Sequence, residues 1–361
     1  MNVITIRGEF EQSQGYHFEY DRDGIPLGQG GMGRIFQGFK INDATGQCVP
    51  VAIKEINENI AGNPELIERA MREASIQIDH DNLLRMYGFV PNIEYGAASN
   101  TMITRYYMVM ERLVGANLDQ VLSGNVFDKS GMSIPLAQHL YQEYVSDKPM
   151  AILEIMRGVL SGIQALHDHG YIHRDIDPSN VMVTLDNKIK MIDFGVCKQV
   201  NSWVSQSGMP QHHLTQAGSF IGKFNYAAPE SVSGDIDKQN FTTDIYSLGV
   251  MLFQLATGHL PFTGTNQELM SAHLLRPLPV KEIDNKYIRR VVEKSTQKKQ
   301  ELRYASAREM LADLEHIANP TSSGTVVKEH SEPVPPCIPA WAYAIAAPVG
   351  LVMGVVLNFI L

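Results

Sequence analysis

The sequence HRDIDPSN at residues 173–180 is followed by two short runs rich in β-branched residues, 181–184 and 189–192, and then by DFG at 193–195. Phosphoryl transfer from a nucleotide needs one carboxylate to orient the attacking hydroxyl. It also needs an amide and a second carboxylate to hold metal ions between the phosphates. The stretch supplies these groups in that order, as Asp175, Asn180 and Asp193. Either motif alone is commonly a charged loop or a turn, but both at this spacing favour a phosphoryl-transfer site.

The two motifs resemble the catalytic loop and the metal-binding loop of the protein kinase superfamily, and most of all those of bacterial Hanks-type serine/threonine kinases. The resemblance extends from about residue 20 to residue 317. It implies an α+β, bilobal kinase fold, with a small antiparallel-sheet N-lobe that carries one helix and a larger, mainly helical C-lobe. It also implies ATP as the phosphoryl donor, Mg²⁺ or Mn²⁺ as the metal, and proteins as substrates.

A glycine-rich segment, GQGGMG at 28–33, lies near the start of this region. A lone G-x-G-x-x-G also occurs in dinucleotide-binding folds, where a helix follows the last glycine. Here a strand-like run, 34–39, follows instead, and a second run, 49–56, carries Lys54. This order resembles the hairpin with which kinases cover the phosphates of ATP. The resemblance implies nucleotide contacts from Leu27, Gly28, Gly30, Gly33, Ile35, Ala52 and Lys54.

The apolar spacing of residues 64–78 predicts a helix that carries Glu73. Glu73 matches the acid that braces the lysine in kinases, although a surface glutamate among charged neighbours is the alternative. Two strands, 83–90 and 105–110, follow, separated by an insertion near 92–101 to which we assign no function. The resemblance places the interlobe link, which binds adenine through its backbone, at Met110, Glu111 and Leu113.

The remaining segments match the larger lobe. They are a short helix at 116–122, an insertion at 124–149 without an assigned function, a core helix at 150–169, the APE motif at 228–230, a long helix opened by Asp244, and a last helix at 306–317. In kinases the leading acid of the long helix anchors the catalytic loop. The arginine that corresponds to Arg303 pairs there with the acid that corresponds to Glu230.

Composition sets limits on function. The chain of 361 residues has 44% hydrophobic and 19% charged residues, an ordinary globular balance. A formal charge of -9 argues against nucleic acid as a partner. The three cysteines, Cys48, Cys197 and Cys337, are far apart and support neither a disulfide framework nor a zinc site, so a reducing compartment is expected. The first ten residues do not resemble a signal peptide.

The C-terminal end has a different composition. Residues 319–337 are rich in proline and serine and form a predicted linker, and residues 338–361 carry no charge. As a helix the latter would be about 36 Å long, enough to cross a bilayer. We expect a single-pass membrane anchor with the kinase domain in the cytoplasm and no outer sensor domain. The alternative is a buried terminal helix. The expected domains are an N-terminal arm 1–19, N-lobe and link 20–113, C-lobe 114–318, linker 319–337 and membrane helix 338–361.

Two departures from the family pattern bear on activity. Serine/threonine kinases normally carry a lysine two residues after the catalytic aspartate, where this chain has Asp177. The segment before the APE motif usually begins Gly-Thr, and here it begins with Gly222 and Lys223. We therefore expect an exchange, in which Lys223 pairs with Asp177 and offers its ammonium to the phosphate. The alternative is a pseudokinase or ATP-binding scaffold.

A second rival is a small-molecule phosphotransferase with a kinase-like fold. Such enzymes generally lack the APE segment and the helix opened by Asp244, both of which this chain has.

We also expect phosphorylation of the activation loop, on Ser219 first and Thr215 second. Arg174, beside the catalytic aspartate, is the feature by which many kinases sense a phosphorylated loop.

Overall fold

The computed structural model describes residues 2–30, 32–96, 101–194, 198–199 and 224–320. The chain divides into two compact units, Met1–Pro320 and Thr321–Leu361, and all described residues belong to the first. The apolar tail and seven positions named above lie outside the described residues: Gly195, Cys197, Thr215, Ser219, Gly222, Lys223 and Cys337. Predictions that rest on them stay predictions.

The N-terminal part is an antiparallel sheet with helices beside it. Its strand order is β1-β2-β4-β5-β7-β6, with β3 paired to β4. The elements are β1 Val3–Ile6, α1 Glu9–Ser13, β2 Tyr16–Asp21, β3 Gly28–Gly30, β4 Gly33–Asn42, β5 Cys48–Ile56, α2 Glu58–Ala61, α3 Pro64–Ala74, β6 Met86–Gly96 and β7 Thr101–Glu111.

The second part is mainly helical, with small sheets of order β11-β10-β8 and β12-β9. Its elements are β8 Gly115–Asn117, α4 Leu118–Leu122, α5 Pro135–Ser146, α6 Lys148–Asp168, β9 Tyr171–Ile172, β10 Val181–Thr184, β11 Ile189–Met191, β12 Lys198–Gln199, α7 Pro229–Val232, α8 Phe241–Thr257, α9 Asn266–Leu275, α10 Lys286–Ser295 and α11 Ala307–Leu314. A small antiparallel sheet with a helical second lobe confirms the α+β bilobal prediction.

The N-terminal boundary has to be revised. Residues 1–19 were expected to form an arm, but β1 pairs with β2 in register from Val3↔Asp21 to Ile6↔Phe18, and β2 pairs with β4. The added strands bury apolar side chains on one face of the sheet. This outer core contains Ile6, Phe18, Tyr20, Phe36, Val51, Ile53, Val90, Tyr107 and Val109. The described part of segment 1–19 therefore contributes strands β1 and β2 to the sheet.

Helix α6 occupies the centre of the helical lobe. Asp147 caps it by accepting a hydrogen bond from the Met150 amide, and its apolar residues are buried, including Ile152, Ile155 and Leu166. Among the described residues, α6 is the one helix long and apolar enough to cross a membrane by length and composition. Its burial against α5, α8 and α11 identifies it as a core helix.

The insertion at 124–149 adds structure to this lobe, since its residues 135–146 form α5, which packs against α6. Its tip is a tight turn in which Asp128 accepts hydrogen bonds from the Ser130 and Met132 amides. Lys129, within this turn, donates a hydrogen bond to the carbonyl of Leu27 at the start of the glycine-rich segment. The insertion therefore touches the N-lobe, which its sequence did not indicate.

A buried ion pair closes the helical lobe, as the resemblance implied. The guanidinium of Arg303 donates to both carboxylate oxygens of Glu230, at 2.7 and 3.0 Å, and its side chain is fully buried. Burial works to raise the pKa of Glu230, but the bonds from Arg303 hold it below its usual value. Removing one partner of such a pair typically costs about 3–5 kcal/mol, because the other charge stays buried.

Candidate active site

The loop that carries the catalytic motif is held from below by α8. Asp244, fully buried, accepts hydrogen bonds from the backbone amides of His173 and Arg174, at 2.8 and 2.9 Å, and from His167 Nε2 at 2.8 Å. Burial works to raise the pKa of Asp244, but these bonds and the neighbouring histidines keep it below its usual value. The carboxylate is therefore ionised and fixes the backbone just before Asp175.

Asn180 joins the parts of the catalytic motif. Its amide nitrogen donates to the backbone carbonyl of Asp175 at 2.8 Å and to the Asp175 carboxylate at 3.1 Å. Its backbone carbonyl accepts from the amide of Ile192, at 2.9 Å, directly before Asp193. Because Nδ2 is engaged with Asp175, the side-chain oxygen is left as the atom with which Asn180 can bind a cation. The three residues predicted for catalysis and metal binding therefore lie in one assembly.

Asp193 and Phe194 point in different directions. Asp193 has a φ of 66°, in the left-handed region that L-residues rarely adopt, and its side chain is exposed. Phe194 is 2% exposed and packs edge-on against His173, with ring centroids 6.0 Å apart. The buried ring and the turned backbone together direct the carboxylate away from the core. Arg174 has a similar φ of 68°, so both loops are held in strained conformations.

Asp177 caps the turn that presents Asn180. Its Oδ1 accepts from the Ser179 amide at 2.7 Å and from the Ser179 hydroxyl at 2.6 Å, at the start of the 3-10 turn Pro178–Asn180. Asp177 is 3% exposed. The carboxylate therefore has a structural role that a lysine at this position could not fill, a role that the sequence analysis missed.

Glu73 lies close to Lys54 and Asp193 but is not directly bonded to either in the described part of the chain. Its Oε2 is buried and makes no hydrogen bond. Burial raises the pKa of Glu73 to about 7; the Lys54 charge lowers it and the Asp193 charge raises it further. No ion pair joins Lys54 and Glu73 in the described part of the chain, and the predicted brace stays a prediction.

The glycines of the phosphate cover have different environments. A Cβ at Gly30 would meet no heavy atom within 4 Å, and one at Gly28 would meet only the tip of Ile35. A Cβ at Gly33 would lie 2.0 Å from the carbonyl oxygen of Glu55, so this glycine is required by the close pairing of β4 and β5. Gly28 and Gly30 leave open space that fits phosphates approaching the backbone.

The residues predicted to surround adenine come together at the same end of the sheet. Ala52 pairs with Met110 across β5 and β7, and both are buried. Ile35 and Leu113 are partly buried against the same apolar cluster. Leu27 donates from its amide to the Ile35 carbonyl at 2.7 Å, which holds the start of the glycine-rich segment beside β4. The donor set and the apolar walls thus fit a nucleotide with a metal at its phosphate end.

Several residues that shape the site were not recognised in the sequence. Gln239 accepts from Arg174 at 3.3 Å, and His167 stacks on Phe241 while it holds Asp244. Isolated polar residues give no sequence signal for such long-range contacts. Among these residues, His167 had the clearest indication in the sequence, because it lies six residues before His173 near the end of core helix α6.

Comparison with known proteins gives a family match. A family model described as a protein kinase domain matches residues 22–316. A "Probable serine/threonine-protein kinase PknB" of Lactococcus lactis subsp. lactis is 29% identical over 80% of this chain and 40% of its own. "Serine/threonine-protein kinase Pkn1" of Myxococcus xanthus is 30% identical over 87% and 41%. "Serine/threonine-protein kinase PknH" of Mycobacterium tuberculosis is 29% identical over 88% and 47%. The chain spans less than half the length of these curated relatives.

The raised pKa of Glu73 predicts a specific pH dependence of stability. The pKa of a glutamate in the unfolded chain is near 4.5, whereas burial raises the pKa of folded Glu73 to about 7. Between these two pKa values the carboxyl of Glu73 is ionised in the unfolded chain but still protonated in the folded chain. The free energy of unfolding therefore falls as pH rises through this window, by up to about 3 kcal/mol. Urea unfolding of the parent and of Glu73→Gln at pH 5 and pH 8 measures the difference.

Glu68→Gln is the matched control, because Glu68 is an exposed residue of the same helix, paired with Arg72. Its profile should follow that of the parent. If the parent and Glu73→Gln change stability in parallel between pH 5 and pH 8, Glu73 has an ordinary pKa and the interpretation of its environment is wrong.

Proposed function

Because the chain belongs to the protein kinase family, we propose that it is a serine/threonine kinase that transfers the γ-phosphoryl group of ATP to protein hydroxyls. The observation that carries this proposal is the assembly around Asn180, which bonds to Asp175 and is joined through its backbone to the residue before Asp193. Kinase chemistry needs these three groups fixed relative to one another, since its catalysis is mainly positioning and charge neutralisation.

Each group has a role in this proposal. Asp175 orients the substrate hydroxyl and accepts its proton. Asn180 and Asp193 hold Mg²⁺ or Mn²⁺, which neutralises charge on the transferring phosphoryl group when bound. Lys54 contacts the phosphates, with Glu73 beside it, and the glycine-rich segment covers them. The interlobe link at 110–113 holds adenine by its backbone.

The names of the relatives and the intact donor set favour an active enzyme over a pseudokinase or ATP-binding scaffold. Asp177, the departure that raised the alternative, is engaged by Ser179 and caps the catalytic turn. A carboxylate held in this way supports the geometry of Asn180, and in the proposed exchange Lys223 compensates its charge. Phosphorylation of Ser219 first and Thr215 second, with Arg174 as the sensor, is part of the same proposal.

Purified full-length protein should transfer phosphate from ATP to itself and to protein substrates, on serine or threonine. Asp175→Asn should lower the rate by about 100-fold or more, because the group that accepts the hydroxyl proton is lost. Asp186→Asn, on the exposed turn between β10 and β11, is the matched control and should retain the parent rate. Phosphopeptide mass spectrometry of the active protein should find Ser219 modified earlier than Thr215.

Two outcomes count against these proposals. Equal activity of Asp175→Asn and the parent would exclude the proposed mechanism. An active protein with neither Ser219 nor Thr215 phosphorylated would exclude control by these two residues while leaving the kinase activity intact.

The proposed exchange between Asp177 and Lys223 makes a separate prediction. If Lys223 supplies the ammonium to the phosphate, Lys223→Ala should lower the transfer rate by about tenfold or more, a loss of about 1.4 kcal/mol of transition-state stabilisation. The double variant Asp177→Asn with Lys223→Ala should be faster than Lys223→Ala, because the uncompensated carboxylate is removed while an asparagine oxygen can still cap the turn.

Lys238→Ala, which removes an exposed lysine paired with Asp235, is the control and should leave the transfer rate unchanged. A Lys223→Ala variant that transfers phosphate as fast as the parent would show that no such exchange operates.

We also propose that residues 338–361 cross a membrane as a helix, with the kinase domain in the cytoplasm where ATP is available. The segment has no charged residue, and Trp341 and Tyr343 stand near its start, where aromatic rings favour the interface. The linker 319–337 would keep the kinase within roughly 25 Å of the bilayer on average.

Full-length protein should resist carbonate extraction from membranes, and a chain ending at Pro320 should be released. Full-length protein in the soluble fraction would contradict the anchor.

A further inference from the structure

Lys190 is a buried cation on β11, the strand that leads to Asp193. It is 5% exposed, and its ammonium donates to the carbonyl of Leu83 at 3.0 Å and to Glu111 Oε1 at 2.8 Å. Burying a charge is costly unless it is paired and hydrogen-bonded, so this position is not that of a surface lysine. Lys188, two residues earlier, shows the contrast, because it is more exposed and pairs with the exposed Asp81.

The partner, Glu111, belongs to the interlobe link. Its Oε1 also accepts from the backbone amide of Arg85 at 2.7 Å, and its own amide donates to the Arg85 carbonyl at 2.9 Å. Both the side chain and the backbone of Glu111 are thereby fixed. The same carboxylate oxygen that receives the ammonium of Lys190 thus also holds the link against the chain just before β6.

The residues that precede β6 lie between the link and β11. The amide of Leu84 donates to the carbonyl of Met191, and the amide of Met191 donates to the carbonyl of Asn82, each at 2.9 Å. The ammonium of Lys190 donates to the carbonyl of Leu83, within this segment, and to the carboxylate of Glu111 in the link. The junction therefore contains the N-lobe chain, the link and β11, with the ammonium of Lys190 at its centre.

The other end of β11 reaches the metal-binding residues. Met191 pairs with Val181, next to Asn180, and the amide of Ile192 donates to the carbonyl of Asn180 at 2.9 Å. Asp193 follows Lys190 by three residues, roughly 10 Å along an extended chain. Strand β11 and Ile192 thus connect Lys190, which bonds to the carboxylate of the link, with Asp193 at the metal end.

We propose that Lys190 is a positioning residue that fixes the separation between the interlobe link at Glu111 and the metal-binding end of the site at Asp193. This proposal rests on the proposed function, because the two ends are those that a bound nucleotide spans. Lys190 touches neither substrate nor metal. It acts through Glu111 and through its own strand, and its loss lets the two ends move independently.

A nucleoside and a nucleotide distinguish this role from general stabilisation of the core. Adenosine contacts only the adenine end, whereas MgATP must contact both ends at once. In Lys190→Met, a side chain of similar length without charge, adenosine should bind to purified full-length protein within twofold of the parent by calorimetry. MgATP affinity should fall by about tenfold or more, and kcat should fall with it.

Lys188→Met is the matched control, since it removes the ion pair with Asp81 just before the same strand and should leave adenosine affinity, MgATP affinity and kcat unchanged. Lys190→Arg, which keeps a cation able to reach an acceptor, should recover part of the MgATP affinity. If Lys190→Met weakens adenosine and MgATP equally, or weakens neither, the positioning role is excluded.

A milder variant keeps the test decisive if Lys190→Met does not fold. Lys190→Gln keeps a donor that can bond to the carbonyl of Leu83 and removes the charge, so it should lower MgATP affinity by about threefold with adenosine affinity within twofold of the parent. Where both variants fold, adding Glu111→Gln to Lys190→Met should cause little further change in the ratio of MgATP to adenosine affinity, because both side chains act through one contact. Equal losses of adenosine and MgATP affinity in Lys190→Gln would again exclude the role.

The two proposals can fail separately. Absence of phosphate transfer by the parent protein, with MgATP bound normally, would overturn the proposed function. The comparison of adenosine with MgATP would still decide the role of Lys190, because it measures binding alone.

Discussion

The hydrogen bonds that Asp244 accepts are the interaction on which the active site depends. A carboxylate without solvent contact has to be fully paired, and Asp244 achieves this by accepting two backbone amides from the catalytic loop and one imidazole nitrogen. Because these amides belong to His173 and Arg174, they determine the position of the next residue, Asp175. The left-handed conformation of Arg174 is strained, and the bond from its own amide helps to maintain it.

From that fixed point the site extends in one direction along the chain. Asp177 caps the turn, the turn presents Asn180, and Asn180 bonds back to Asp175. The hairpin of β10 and β11 then carries this order to Asp193 and, through Lys190, to the interlobe link. The contacts form a continuous path from Asp244 to Glu111. Beside this path, His167 Nδ1 and His173 Nε2 are buried without a hydrogen bond, as is Glu73 Oε2 on α3.

The sequence predicted the fold through motifs whose spacing follows from local chemistry. Asp175, Asn180 and Asp193 were identified in this way and lie together, and the pairing of Arg303 with Glu230 was anticipated by resemblance and confirmed at 2.7 Å. The roles of Gly33 and Asp177 were less accessible. Gly33 is required by its close approach to Glu55, and Asp177 by a cap; both depend on the folded backbone rather than on residue type.

The same limit explains two further features that the sequence analysis missed, the pairing of the first strand and a contact made by the insertion. The first strand is four residues long and lacks a clear alternation, so only its pairing with β2 shows that it belongs to the sheet. The insertion at 124–149 gave no sign that Lys129 would reach Leu27, because a contact between distant residues has no local pattern. Contacts of this kind follow from tertiary packing, which overrides local preference.

The outer core of the N-lobe has a consequence for motion. Its nine buried apolar residues come from β1, β2, β4, β5, β6 and β7 of the sheet and from none of the elements of the helical lobe. The sheet thus has cohesion of its own, independent of contacts across the cleft. Bending at the link would therefore move these strands together, and the contacts of the other face of the sheet with the helical lobe would have to shift with it.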